Sequence, residues 1–208
     1  MRYAIMKKGV SRSFPDGDPF LKGAVAAEKA EVMVYCGTLY GPSPHAAVLI
    51  ELHNECLAVH TGEDEGAVNV LGFARYRNGN DAPSDLVEVV RGPNSSDEAI
   101  AAARSVFEGA GFTVVVCSDQ AGRIIDRLVR PKYNAALRLL DEGLASRADI
   151  DMTCRLGLGY PDGPIERTLR GGLIAHYEIC SSLFEIYGTP AYAPARRAVV
   201  AKMRERGS

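Results

Sequence analysis

Asp119-Gln-Ala-Gly122-Arg-Ile-Ile-Asp126-Arg127-Leu-Val-Arg-Pro131-Lys-Tyr-Asn134-Ala-Ala136 marks the point where the chain turns from strand-like to helix-like patterning. Within and beyond it, Ile124, Ile125, Leu128, Val129, Ala136, Leu137, Leu139 and Leu140 recur at steps of three and four. They form a wide apolar stripe that ends at Gly143, a residue suited to the C′ position. Ser146 can cap the next helix, with Asp149 as a weaker form of the capping-box acid. Residues 173–187 read as a further helix between Gly172 and Gly188. Pro194 can start a last one, whose cationic end, Lys202-Met-Arg-Glu-Arg-Gly207, complements a helix C-terminus. Residues 119–208 are expected to form an all-α domain.

Upstream the pattern is different. Short β-branched runs at 31–36, 47–52, 56–60 and 68–73 are each too brief for an ordinary helix and read as strands. Leu86-Val-Glu-Val-Val90 reads as a strand, 96–109 as a helix opened by Ser96 with Asp97 and Glu98 in its first turn, and 113–117 as another strand. Strand, helix, strand points to an α/β layer with some parallel pairing over residues 1–118. Residues 78–84, rich in Gly, Asn and Pro, form the clearest loop. Residues 1–31 are too few and too irregular to supply a nucleotide-binding half. No internal repeat or low-complexity tract occurs.

Composition narrows the partners. With 47% hydrophobic residues in 208, the chain can bury a real core, and with a net charge of −2 and no long basic run no nucleic-acid partner is expected. The five cysteines are scattered, odd in number and lack any Cys-x-x-Cys pair, so reduced thiols in a cytoplasm are expected. No window approaches the ~18 apolar residues of a membrane span. His53-Asn-Glu55-Cys56-Leu-Ala-Val-His60 holds several metal-capable groups, but it matches no zinc spacing and on a strand would face both ways, so no metal is expected. Gly157-Leu-Gly159 follows a helix, which makes it a turn and not a phosphate loop.

Two blocks carry a resemblance. The first is the opening stretch. The second is Ala145-Ser-Arg-Ala-Asp-Ile150-Asp151 followed by Leu156-Gly157-Leu158-Gly159-Tyr-Pro161-Asp-Gly163-Pro164. In order and spacing they resemble the C-terminal domain of the 3-hydroxyacyl-CoA dehydrogenases. The resemblance implies a reduced Rossmann-like α/β part followed by a helical domain of the 6-phosphogluconate dehydrogenase C-terminal-like type. It also implies chemistry: a His base, a Glu supporting it, polar substrate contacts and a nicotinamide. Glu88, in Leu86-Val-Glu-Val-Val90, is the inherited carboxylate. Counting back to the His position without gaps lands on Tyr76, and aligning Val70-Leu71-Gly72 with the preceding strand puts Ala74 there; neither is an imidazole. None of His45, His53, His60 and His176 lies in that segment.

The family's Asn before Arg is Asp126, the second catalytic candidate. Its Phe after Gly is Arg123, its Glu is Ala135, and an acidic residue expected after Gly-Pro is Leu169. Residues 1–70 hold no Gly-x-Gly-x-x-Gly, so no ordinary NAD site and no cofactor is expected. Arg75 and Arg77 flank the lost His and could meet CoA phosphates, and Arg127 joins them as a candidate substrate contact.

The plain alternatives are a solvent-facing Glu88 on a strand whose Val87 and Val89 face the core, an ion pair of Asp126 with Arg127 or a surface position for it, and an exposed basic strand end at Arg75 and Arg77. The resemblance thus implies a non-catalytic or catalytically altered family member, acting as an acyl-CoA-binding or dimerisation module. One alternative is a working NAD-dependent dehydrogenase of acyl-CoA metabolism, with Tyr76 or Asp126 as an improvised base. Another is an interaction subunit of a full-length dehydrogenase, which would expose Tyr177, Leu183, Phe184 and Tyr187. The expected assembly is a homodimer or a complex with such a dehydrogenase.

Overall fold

A computed structural model describes residues 1–207 and divides them into two units. The first comprises Met1–Arg77 and Ala82–Ile124; the second comprises Asn78–Asp81 and the chain from Ile125 onward.

The first unit is a six-stranded sheet of β1 (Tyr3–Lys7), β2 (Val32–Cys36), β3 (Ala47–Glu51), β4 (Val70–Arg75), β5 (Leu86–Arg91) and β6 (Thr113–Ser118). The strands lie side by side in chain order. All neighbours are parallel except β4 and β5, which are antiparallel. Three helices accompany them: α1 (Pro19–Lys22), α2 (Ala58–Thr61) and α3 (Asp97–Gly109). Strand alternation sends Val34, Leu49, Leu71, Phe73, Val87 and Val89 to one face, where α3 covers them through Ala99, Ala103, Val106 and Phe107. Phe14 and Phe20 stack there with ring centroids 4.2 Å apart, and Phe73 meets Phe107 at 5.4 Å. On the opposite face Val48, Ile50, Val70 and Val90 pack with Leu52 and Leu57.

Two strand expectations need correction. β1 lies in the segment read as irregular: its five residues, two of them buried, are too short to show a period, yet they pair with β2 from Tyr3↔Val32 to Lys7↔Cys36. Residues 56–60, read as a strand, instead lead into α2. The Asp119 carboxylate accepts from Leu57 N at 2.6 Å and Ala58 N at 2.8 Å, a cap supplied from across the chain that overrides the local β-propensity.

The second unit is helical: α4 (Ile125–Asp141), α5 (Arg147–Leu158), α6 (Pro164–Gly171), α7 (Leu173–Tyr187) and α8 (Arg196–Arg206). Leu137, Ile150, Ile165 and Ala195 form its core, with Leu140 and Leu173 against them. Ser146 caps α5 as expected, accepting from Asp149 N, and Gly143 beyond α4 has φ +70°. Pro194 precedes the start of α8 by two residues. The described helices include none long and apolar enough to cross a membrane.

The second block of the resemblance acts as a clamp. Asp151, buried on α5, accepts from Ile165 N at 2.8 Å and Glu166 N at 3.0 Å, capping α6. Gly163 is required because a Cβ there would overlap the Asp151 carboxyl group. Asp151→Ala is therefore expected to cost about 1–2 kcal/mol, read as a lower urea midpoint for the helical unit. An unchanged midpoint would show that α6 needs no cap from α5.

Candidate functional site

Val87 and Val89 enter the α3 side of the sheet, so Glu88 must point to the other. It does not meet solvent there: Glu88 is only 3% exposed, which corrects the plain reading of a surface carboxylate. A buried carboxylate needs donors. Glu88 Oε1 accepts from Ile124 N at 2.8 Å, and Oε2 lies 3.6 Å from the Arg123 Nε. Arg123 is itself buried and adopts φ +49°, the one non-glycine residue with positive φ among those described. Its guanidinium donates to the carbonyls of His53 and Glu55, tying residues 53–55 to the β6–α4 turn, where Gly122 N also donates to Asn54 O at 2.9 Å.

Across the β4–β5 ladder the residue directly opposite Glu88 is Ala74. Directly opposed side chains have Cβ atoms about 4.5–5.5 Å apart, so the alignment that puts the family's His at Ala74 is the one that brings that position against the carboxylate. A methyl group stands there. The guanidinium beside Glu88 comes instead from Arg123, where the resemblance expects Phe. Burial first, and Glu88 second, push the nearby Cys117 thiol up to about 11, so it is no thiolate nucleophile at neutral pH.

Asp126 lies in the helical unit. It is buried, and its ion-pair partner is Arg130 one turn on, at 2.8 Å, in place of the Arg127 pairing or surface position expected. From Arg130 the polar chain continues inward: Nη1 lies 3.3 Å from His176 Nδ1, and His176 Nε2 lies 2.9 Å from Asn134 Oδ1. Asn134, fully buried, also accepts from Ala195 N at 3.2 Å and donates to Ala191 O at 3.0 Å and Cys180 Sγ at 3.5 Å. The sequence reading missed this cluster, although Asp126, Arg130 and Asn134 fall at successive four-residue steps, a polar stripe inside an amphipathic helix. Burial, then the Arg130 charge, press His176 down to about 3, and burial lifts Cys180 to about 11. So weakly basic a ring is no general base near neutral pH.

The arginines have defined surroundings. Arg75 is buried, not an exposed strand end: its guanidinium pairs with Asp18 at 2.8 Å, donates to the Ser13 and Ser84 carbonyls, and lies over the Phe14 and Phe112 rings. It borders a cavity of about 570 Å³ with Tyr3, Asp18, Asp85 and Ser105. Arg77 is half-buried, and its carbonyl accepts from Arg12. Arg127 stacks 4.5 Å over the Tyr187 ring and donates to Tyr192 OH, the main reason its pKa rises. Of the residues proposed for an interaction face, Leu183 is fully buried, Tyr177 and Tyr187 are half-buried, and Phe184 is exposed. Glu55, in the segment with metal-capable groups, bridges His60 and the His53 amide.

A dinucleotide pyrophosphate needs backbone amides at a strand-to-helix turn. In the described residues each such turn has at least one of its amides engaged from within. Asp18 accepts from Phe20 N at α1, which begins with Pro19 and so lacks one donor. Asp119 fills α2, Ser96 accepts from Ala99 N at α3 ahead of Asp97 and Glu98, and Glu88 holds Ile124 N before α4. The strand order never reverses, so the sheet also lacks a topological switch point.

Residues 122–207 match the family model "3-hydroxyacyl-CoA dehydrogenase, C-terminal domain". A probable 3-hydroxyacyl-CoA dehydrogenase of Caenorhabditis elegans is 41% identical over 81 residues, 39% of this chain and 27% of that protein. A 3-hydroxybutyryl-CoA dehydrogenase of Mycobacterium tuberculosis is 35% identical over 111 residues, 52% of this chain and 38% of that one. The matched region thus spans well under half the length of these relatives. In three dimensions the chain is similar to M. tuberculosis FadB2 (TM-score 0.72, 22% identity, 86% of this chain and 66% of that one) and to the (S)-3-hydroxybutyryl-CoA dehydrogenase PaaH1 of Ralstonia eutropha (TM-score 0.70, at the same identity and coverage). At that identity the likeness is one of fold.

Proposed function

We propose that this chain, whose residues 122–207 match the C-terminal domain of the 3-hydroxyacyl-CoA dehydrogenase family, binds acyl-CoA without transferring hydride. The observation that carries this reading is the engagement of Glu88. The carboxylate that would support a catalytic imidazole is instead buried against Arg123 and the Ile124 amide, and the facing strand position holds Ala74. The capped strand-to-helix turns support the absence of an ordinary NAD site in the described residues. The family resemblance supports retention of the acyl-CoA partner, and the polar residues that changed are those of chemistry, while the turn and cap residues remain.

NADH oxidation with acetoacetyl-CoA, at high protein concentration and with Glu88→Gln alongside, tests the reading. Loss of the base alone removes about 10²–10⁴ in rate, so turnover is expected at the level of the blank, while calorimetry shows saturable binding of acetoacetyl-CoA. Turnover that Glu88→Gln abolishes would overturn the reading in favour of an NAD-dependent dehydrogenase with an improvised base. The interaction-subunit alternative has less support, because only Phe184 of its four aromatic and aliphatic residues is exposed.

A further inference from the structure

Ser43 and His45, in the loop between β2 and β3, bring a nucleophile against a base and take no part in the site around Glu88. Ser43 Oγ hydrogen-bonds His45 Nδ1, and the other ring nitrogen, Nε2, lies 3.4 Å from the Ala27 carbonyl oxygen. A carbonyl can only accept, so in the neutral ring Nε2 carries the proton and Nδ1 keeps its lone pair. The Ser43 hydroxyl must then donate to Nδ1. A hydroxyl held by a base, whose far nitrogen is oriented by a third group, is the arrangement that activates a serine.

The backbone around the pair is held in place. Asn69, just ahead of β4, donates through Nδ2 to the Ser43 carbonyl at 2.9 Å and to the His45 carbonyl at 2.8 Å, so one side chain positions both residues. Pro44 between them has a locked φ and biases Ser43 toward extended backbone. Ala46 N donates to Glu31 O at 2.9 Å where the loop enters β3. Ser43 and His45 are only half-buried, with Pro42 and Pro44 exposed, so a small substrate can reach the hydroxyl. The Ser43 amide donates to no group among the described residues, which leaves an N–H beside the attacking oxygen for the oxyanion that forms there.

We propose that Ser43 and His45 hydrolyse small carboxylic esters through an acyl-serine. As Ser43 Oγ bonds the ester carbonyl carbon, its proton passes to His45 Nδ1. The bond from that carbon to the alcohol oxygen breaks, and Nδ1 gives the proton to the departing alcohol. Water then attacks the acyl-serine and passes a proton to Nδ1; Ser43 recovers it as the carboxylic acid leaves. No oxidant, reductant or cofactor enters, so this activity stands apart from the acyl-CoA reading above.

The test has two arms on the full chain: turnover of p-nitrophenyl acetate, and labelling by diisopropyl fluorophosphate, which marks an activated serine irreversibly, mapped by mass spectrometry. Ser43→Ala and His45→Gln, each with native circular dichroism, accompany the parent in both. Nitrophenol release above buffer is expected from the parent, with the label on Ser43. Ser43→Ala should lose both, and His45→Gln should slow release about 10²-fold or more, the usual loss with a general base. Label absent from Ser43 in the parent would overturn the proposal whatever the variants do. Release no faster than buffer, or release that Ser43→Ala leaves unchanged, would overturn it equally and reduce the pair to a structural turn.

Discussion

Asn134→Leu is expected to destabilise the helical unit by about 3 kcal/mol or more, because the side chain it removes satisfies several buried groups at once. Its amide orientation is fixed by chemistry: Ala195 N can only donate, so Oδ1 faces it, and Ala191 O can only accept, so Nδ2 faces that. Leucine fills similar space but strands the buried Ala195 N–H and His176 ring, and the half-buried Ala191 carbonyl, without these partners. Each orphaned group costs about 1–3 kcal/mol. For a unit of this size the loss corresponds to a fall in Tm of roughly 10 °C or more. Thermal unfolding gives the magnitude, and hydrogen exchange of α4 and α7 amides places it. A Tm within about 2 °C of the parent would mean that the polar cluster is incidental to packing.

Asn134 also illustrates what could be read from the sequence. The motif residues were visible as spacing, and their retention implied the helical fold that is found. Helices α4, α5 and α7 were legible because each carries both an apolar period and a terminal signal, as with Ser146 and Gly143. Most strands were legible as short β-branched runs between turns. What failed depended on distant partners. α2 owes its start to Asp119, sixty-two residues from the Leu57 amide it accepts from. β1 is held by its pairing with β2, not by its own five residues. α6 was not resolved as a separate helix, since its cap comes from Asp151 on α5.

The same limit applied to the candidate site. Alternation placed Val87 and Val89 in the core and so left Glu88 facing away, but whether that second face is covered is a tertiary property. Here it carries its own apolar cluster, and Arg123 arrives from the turn after β6. Phe to Arg at that position reads in sequence as a loss. In the fold it supplies a charge beside the buried Glu88. Arg75 changed character for a similar reason: it ends a strand, yet Asp18 and two phenylalanine rings enclose it.

His176 should make the helical unit lose stability as pH falls, and its two ring contacts dictate the sign. Asn134 Oδ1 accepts from Ala195 N, so it meets His176 Nε2 as an acceptor, and that nitrogen must carry the proton. His176 Nδ1 then offers its lone pair to the Arg130 Nη1, a donor that cannot lose its charge. Protonation of Nδ1 would set two donors and two positive charges against each other in a site closed to water. Around the ring the charged groups are Arg130 and its partner Asp126 on α4, while Cys180 on α7 stays neutral. Burial and Arg130 thus hold His176 near 3 in the fold, against about 6.5 in the unfolded chain.

Between those values the unfolded state binds more protons, so stability is full above about pH 6.5 and declines below it. One such proton is worth about 1.4 kcal/mol per pH unit, or roughly 2–3 kcal/mol between pH 6.5 and 4.5. Urea midpoints of the parent and of His176→Gln, taken across that range, isolate the effect, because every other titrating group is common to both. The variant is expected to be less stable at pH 7.5 but flatter toward acid, so that the two curves converge. Parallel curves would mean that His176 can take up a proton in place.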